Sequence, residues 1–252
     1  MTSSTTGQNA IADEESGETV STVLRAVVLD FDGLIVDTES PLLESWQHTY
    51  RLRGQELTLE HWQHALGTHG GFDPCAHLSR LLGTPQDDEE IRRQVKARNQ
   101  TTCEAQPLLP GIADLLAEAG ALGLGTAVAS SSSRAWVEGW LVRHGVRDRV
   151  HHVCASDDVA RVKPAPDLFL LAAGRLGVPP ESCLVFEDSP NGVLAAQAAG
   201  MRCVAIPNPV TRPLPLPDPD LVLTSAADLP LGEIAAQLGL CLPVPAPDLA
   251  TS

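Results

Sequence analysis

"VVLDFDGLIVDTES", residues 27–40, carries an apolar run out of a core and stops it on two like charges, Asp30 and Asp32. The β-branched and leucine residues before Asp30 are a strand signature. Side chains alternate along a strand, so the two carboxylates lean to one side just past its end while Phe31 turns toward the interior. Gly33 then lets the backbone turn sharply and come close to a ligand. A strand ending this way at the carboxyl edge of a parallel sheet sits where such sheets collect ligands.

From Val23 onward, short apolar runs recur with helical stretches between them: "LRAVVLD", "GTAVAS", "HHVCAS", "CLVFED", "RCVAIPN" and "LVLTSA". This alternation predicts an α/β fold, a Rossmann-like parallel sheet with helices on both faces. Residues 41–103 break the rhythm with helical patterns and no buried strand, as an inserted helical domain would. Ser40 and Pro41 predict an N-cap and first helical position, with Gly54 stopping the helix through "LLESWQHTYRLR". A second helix is predicted over "LEHWQHAL", ending at Gly67, and a later one over "DDEEIRRQVKARNQTT". The chain re-enters the sheet near "LLPGIADLLAEAG", whose Leu and Ala spacing fits an amphipathic helix. "PNPVTRPLPLPDPD" is too rich in proline for regular structure and reads as a loop. The expected organisation is a disordered acidic tail over 1–22, a core built from 23–37 and 107–242, a helical cap over 38–106, and a mobile tail over 243–252.

Against 32 acidic residues the chain has 17 basic ones, a net charge of −15. That balance argues against nucleic acid or an anionic membrane surface as partner. No apolar run approaches the roughly 20 residues of a membrane span, and no basic-then-apolar leader opens the chain, so a cytoplasmic location is expected. The six cysteines form no CxxC pair and no Cys/His ligand spacing, so zinc is not expected, although an even total leaves disulfides open. Cys154, Cys183 and Cys203 lie in strand-like runs and read as buried thiols. Gly120, Gly123 and Gly125 precede a strand and match no dinucleotide-binding spacing.

Three further segments end on polar groups expected at the same sheet edge. "AVASSSSR" stops on Ser130 and Ser131 with Arg134 following, "RVKPAPD" presents Lys163 in a loop stiffened by Pro164 and Pro166, and "LVFEDSPNG" stops on Glu187 and Asp188. Singly, a serine after a strand is a turn former, an isolated lysine a surface charge, and an acidic pair a helix start. In the order DxDG, Ser, Lys, ED, over residues 23–226, the chain resembles the haloacid dehalogenase-like superfamily, in particular its members with a helical cap after the first strand, such as the β-phosphoglucomutase-like and phosphoglycolate phosphatase-like enzymes.

An aspartate with a reference pKa of about 3.9 is ionised at neutral pH and needs no base to attack phosphorus, which makes Asp30 the candidate nucleophile. The resemblance implies an aspartyl-phosphate there, with Asp32 protonating the leaving oxygen and then activating water. Acidic cluster and substrate are both negative, so a divalent cation must join them, and Mg²⁺ suits hard oxygen ligands. By resemblance its ligands are the Asp30 carboxylate, the Asp32 backbone carbonyl and Asp188, with Glu187 a direct or outer partner. Ser130 and Lys163 would hold the phosphoryl oxygens, with a backbone donor from Ser131. Thr68 and His69, in the cap loop "LGTHGGFDP", are candidate substrate readers, whereas Trp46 and Trp62 read as cap packing.

The expected activity is Mg²⁺-dependent hydrolysis of a small phosphorylated metabolite, a sugar phosphate or similar monoester, by a monomer. A sugar-phosphate mutase is the rival. Where the β-phosphoglucomutase-like group carries a histidine and a cap-loop arginine, this chain has Leu42 and Gly70, which favours hydrolysis. A non-catalytic binding protein is the second alternative, opposed by the presence of every catalytic residue type.

Overall fold

A computed structural model describes residues 22–63 and 72–243. The expected substrate readers Thr68 and His69, the end of the second cap helix at Gly67, and nearly all of the two expected tails lie outside the described residues.

The strands are β1 (Ala26–Leu29), β2 (Gly125–Ala129), β3 (His152–Cys154), β4 (Cys183–Glu187), β5 (Arg202–Ala205) and β6 (Leu221–Val222). They form one six-stranded sheet in the order β3-β2-β1-β4-β5-β6, every pair parallel. All six apolar runs therefore became strands. β6 is cut to two residues because the Asp228 carboxylate accepts the backbone N–H groups of Thr224 and Ser225, which turns the chain away.

Period-two alternation distributes the strand residues between two apolar layers. Val27, Leu29, Val128, Leu184, Phe186 and Val204 face helices α5 (Ile112–Ala121), α6 (Arg134–Arg143) and α9 (Leu231–Gln237). Ala26, Val28, Ala127, Ala129, Val185 and Ala205 face α7 (Asp167–Leu176) and α8 (Pro190–Ala198). Small residues dominate that second layer on both sides, and the alanine-rich helices Ala172, Ala173, Ala195 and Ala196 belong to it. β1 is central, and the strand order departs in opposite directions from it. A crevice therefore opens at the carboxyl ends of β1 and β4.

Between β1 and α5 lie α1 (Glu39–Arg51), α2 (Leu59–Gln63), α3 (Pro74–Leu82) and α4 (Asp88–Cys103). They carry an apolar cluster of their own, with Leu43, Trp46, Tyr50, Trp62, Leu78, Ile91 and Val95, so the two tryptophans are packing residues as expected. Asp73 caps α3 by accepting from the Cys75 and Ala76 N–H groups, and Asp87 caps α4 through the Glu90 N–H.

The start of α1 corrects one expectation. Its cap residue is Thr38, not Ser40, and Thr38 makes no side-chain cap bond because its hydroxyl is turned to Asp32. Asp37 accepts the Ser40 N–H instead, and Pro41 sits inside the first turn, where a missing N–H costs nothing. At the other end α1 stops at Arg51, and Gly54 takes up the left-handed turn beyond it at φ 68°. Five cysteines are buried free thiols and Cys241 is an exposed one. Among the described residues no helix is long and apolar enough to cross a membrane.

Candidate active site

The β1 to β4 ladder runs one residue past β1, with the Asp30 N–H donating to the Phe186 carbonyl at 2.9 Å, so Asp30 is fixed where the strand ends. Phe31 is fully buried in the core and anchors the turn from below. Gly33 adopts φ 81°, and a Cβ on it would lie 2.6 Å from Asp188 Oδ2. The close approach that this glycine permits is thus to the protein's own second acidic motif.

Lys163, only 8% exposed, places its ammonium against both Asp30 Oδ1 and Glu187 Oε1. The other Glu187 oxygen accepts from the Asp188 N–H at 2.9 Å, the Ser189 N–H at 3.1 Å and the Ser189 hydroxyl at 3.0 Å. This carboxylate lies on the first turn of α8, against Gly192, where any Cβ would collide with it. The "SPNG" after Asp188 is therefore a fitted seat for Glu187. Asp188 is held by Asn208 Nδ2 at 2.6 Å and by the Thr211 hydroxyl at 3.4 Å, both donating to Oδ2. Carboxylate oxygens of Asp30, Glu187 and Asp188 all lie within 4.8 Å of one another, and all three residues are buried.

The Asp32 side chain points elsewhere. Oδ1 accepts from the Thr38 hydroxyl at 2.9 Å and from Trp136 Nε1 at 3.0 Å, while Oδ2 accepts from the Ser130 hydroxyl at 3.2 Å and the Ser132 hydroxyl at 2.6 Å. Ser131 is exposed. Three strand-end motifs, after β1, β2 and β4, and the Lys163 loop before α7 are thus brought together although they are distant in sequence. The residues not singled out from sequence are Thr38, Ser132, Trp136, Asn208 and Thr211.

Electrostatically the cluster is short of positive charge. Burial pushes the Asp30 carboxyl up to about 8, with Lys163 opposing and Glu187 and Asp32 adding to the rise. Asp188 is driven well above the usual carboxylate range, first by burial and then by Glu187 and Asp30. For Lys163, burial alone would lower its pKa, but the Asp30 and Glu187 charges outweigh it and hold the ammonium above its ordinary value. Close by, burial together with Asp32 and Asp37 pushes Glu39 up to about 7. One ammonium cannot neutralise three buried carboxylates, and an all-oxygen donor set of this kind fits a hard divalent cation.

The family described as haloacid dehalogenase-like hydrolase matches residues 27–206. The Bacillus subtilis protein YhcW, provisionally named a phosphatase, is 41% identical over 209 residues, covering 83% of this chain and 95% of YhcW. The crystal structure of Rhodobacter sphaeroides CbbY in complex with phosphate is 33% identical, with a TM-score of 0.66 over 86% of this chain and 100% of CbbY. A variant of that protein with bound xylulose-1,5-bisphosphate is 31% identical, again at a TM-score of 0.66, over 87% of this chain and 100% of CbbY. The parallel sheet with its helices is the fold of these structural neighbours, and the chain belongs to the haloacid dehalogenase-like hydrolase family.

Proposed function

We propose that this protein is a Mg²⁺-dependent phosphatase acting on a small phosphorylated metabolite of the sugar-phosphate class, through an aspartyl-phosphate on Asp30. The observation that carries this reading is the division of labour between the two acids after β1. Asp30 faces Lys163 and the buried acidic pair, while Asp32 stands apart on its own hydroxyl and indole donors. Phosphorus transfer needs one carboxylate among the phosphate-binding charges and another free to handle protons.

In this reading an Asp30 oxygen attacks phosphorus as the bond to the leaving oxygen breaks, and Asp32 gives that oxygen its proton. Asp32 then takes a proton from the water that cleaves the acyl phosphate, restoring Asp30 and releasing inorganic phosphate. Lys163 has three N–H donors and spends two on Asp30 and Glu187, leaving one for a phosphoryl oxygen. Ser130, wholly buried at the end of β2, turns its one O–H from Asp32 to the phosphoryl group as the second donor, with the Ser131 backbone beside it. Asp30, the Asp32 carbonyl and Asp188, with Glu187 adjacent, would hold a Mg²⁺ ion, which would supply charge neutralisation for the phosphoryl group. In this reading helices α1 to α4 serve as the cap that covers the site and excludes water. The phosphate and xylulose-1,5-bisphosphate complexes of CbbY support the choice of substrate class.

The test is release of inorganic phosphate from a panel of monoesters, hexose 1- and 6-phosphates included, with Mg²⁺ present and Asp30→Asn as control. Release that disappears in the variant is expected. Conversion of a hexose 1-phosphate to the 6-phosphate without net release would replace hydrolysis with mutase chemistry. Release that survives in Asp30→Asn would remove Asp30 as nucleophile.

A further inference from the structure

Residues 207–220, the proline-rich run after β5, form no helix or strand, yet Asn208 is 6% exposed and Thr211 3%. Buried polar side chains on a loop call for a physical reason. Asn208 uses both ends of its amide. Nδ2 donates to Asp188 Oδ2 at 2.6 Å and lies 3.4 Å from the Gly33 carbonyl, while Oδ1 accepts the Val210 N–H at 2.8 Å and the Thr211 N–H at 3.0 Å. Thr211 closes the ring: its hydroxyl accepts from the Asn208 N–H at 3.0 Å and donates to the same Asp188 oxygen at 3.4 Å. Among the described residues nothing hydrogen-bonds Asp188 Oδ1. One oxygen of the carboxylate is thus fixed and the other is left for a ligand.

Val210, whose N–H sits on the Asn208 amide, is 3% exposed and belongs to the apolar cluster of the cap helices, with Leu43, Trp46 and Tyr50. A single residue therefore separates a core-to-cap packing contact from the amide that holds an acid of the proposed metal site.

We propose that Asn208 is the positioning residue that orients Asp188 for the divalent cation, and that Val210 ties this brace to the cap, so that cation affinity depends on cap docking. The inference rests on the assignment of Asp188 as a metal ligand under the proposed function. It gives the proline-rich run a role: prolines on either side of Asn208 limit the loop's freedom, so that little entropy is lost in holding the amide in place.

Calorimetric titration of Mg²⁺ alone into the metal-free protein tests it, with no substrate and no turnover. Asn208→Ala is expected to weaken Mg²⁺ binding about 10- to 100-fold, the usual effect of removing a partner behind a ligand. Thr211→Val, which keeps the volume and removes the second donor, should weaken it in the same direction and decides the matter if Asn208→Ala does not fold. Val210→Ala should weaken it by about threefold through the cap contact. Asp188→Asn separates the two levels. If Asp188→Asn binds Mg²⁺ like the wild type, the ligand assignment itself fails. If Asp188→Asn loses binding while Asn208→Ala or its substitute Thr211→Val retains it, the brace is overturned, and unchanged binding by Val210→Ala overturns the tie to the cap.

Discussion

The indole of Trp136 donates a 3.0 Å hydrogen bond to Asp32 Oδ1, across 104 residues of sequence. Trp136 lies in the first turn of α6, and its ring meets Trp140 edge-on at 5.5 Å, so the donor is held by packing and not by the acid alone. A carboxylate that handles protons gains from a fixed orientation. Trp136→Phe keeps the ring and deletes only the donor. It is expected to lower kcat about tenfold while KM stays within about twofold, since a hydrogen bond to a charged group is worth roughly 1.5–3 kcal/mol and part of that is recovered from the hydroxyl donors. Steady-state kinetics on the preferred ester checks the split. A rise in KM with kcat unchanged would mean that Trp136 contacts substrate and does not position Asp32.

Gly192→Ala places a methyl group into the Glu187 carboxyl. Glu187 cannot yield easily, being wholly buried and bonded to Lys163, the Asp188 and Ser189 N–H groups and the Ser189 hydroxyl. The variant should lose about 2–3 kcal/mol of stability in a urea titration, the upper range for overpacking. Gly139→Ala, in α6 with nothing near its missing Cβ, is the control and should be neutral or slightly stabilising.

The motifs at the ends of β1, β2 and β4 were legible in the sequence because each depends on local order: an apolar run, its abrupt end, and a polar group at or just beyond that end. The fold followed from the same signal, since six such runs, all but the last pair separated by helices, admit few arrangements. Residues that act across the fold carried no such mark. Trp136 looks like any apolar residue of α6, and Asn208 sits in a proline-rich run with no period at all. Ser132 was hidden in a serine tetrad whose alternation decides which hydroxyls reach Asp32. Ser40 has the look of a cap in sequence, but Asp37 and Thr38 compete for the same turn, and only the position of Asp32 decides between them.

Without metal, Asp30 should make the protein less stable as the solution becomes more alkaline. Burial raises its carboxyl to about 8 in the fold, against about 3.9 in the unfolded chain. A raised folded value means that the contribution is complete below about pH 4 and is lost as pH rises toward 8. In EDTA, the Tm of the wild type should therefore fall across this window relative to Asp30→Asn, which has nothing to ionise there. Added Mg²⁺ should remove the difference in slope by favouring the carboxylate. Parallel Tm profiles in EDTA for the two proteins would show that the Lys163 ammonium already neutralises Asp30.

Asp158 behaves in the opposite sense. It accepts from the Arg134 guanidinium, the Ala155 N–H and Arg175, and these hold its carboxyl well below the usual range against a smaller opposing effect of burial. Its neighbour Asp157 accepts the Arg134 N–H, and the Ser156 N–H donates to the Ser132 carbonyl at 3.0 Å. The pair thus braces the loop that presents Ser130 and Ser132 to Asp32. A depressed folded value gives stability that is present above the unfolded pKa near 4 and is lost only as the pH drops through the folded value. Asp158→Asn should cost about 2 kcal/mol at pH 7, in the range of hydrogen bonds to charged groups. The gap to the wild type should narrow steadily as unfolding is followed from pH 4 down to pH 2. A gap that stays constant over that range would place the Asp158 contribution in its shape and not in its charge.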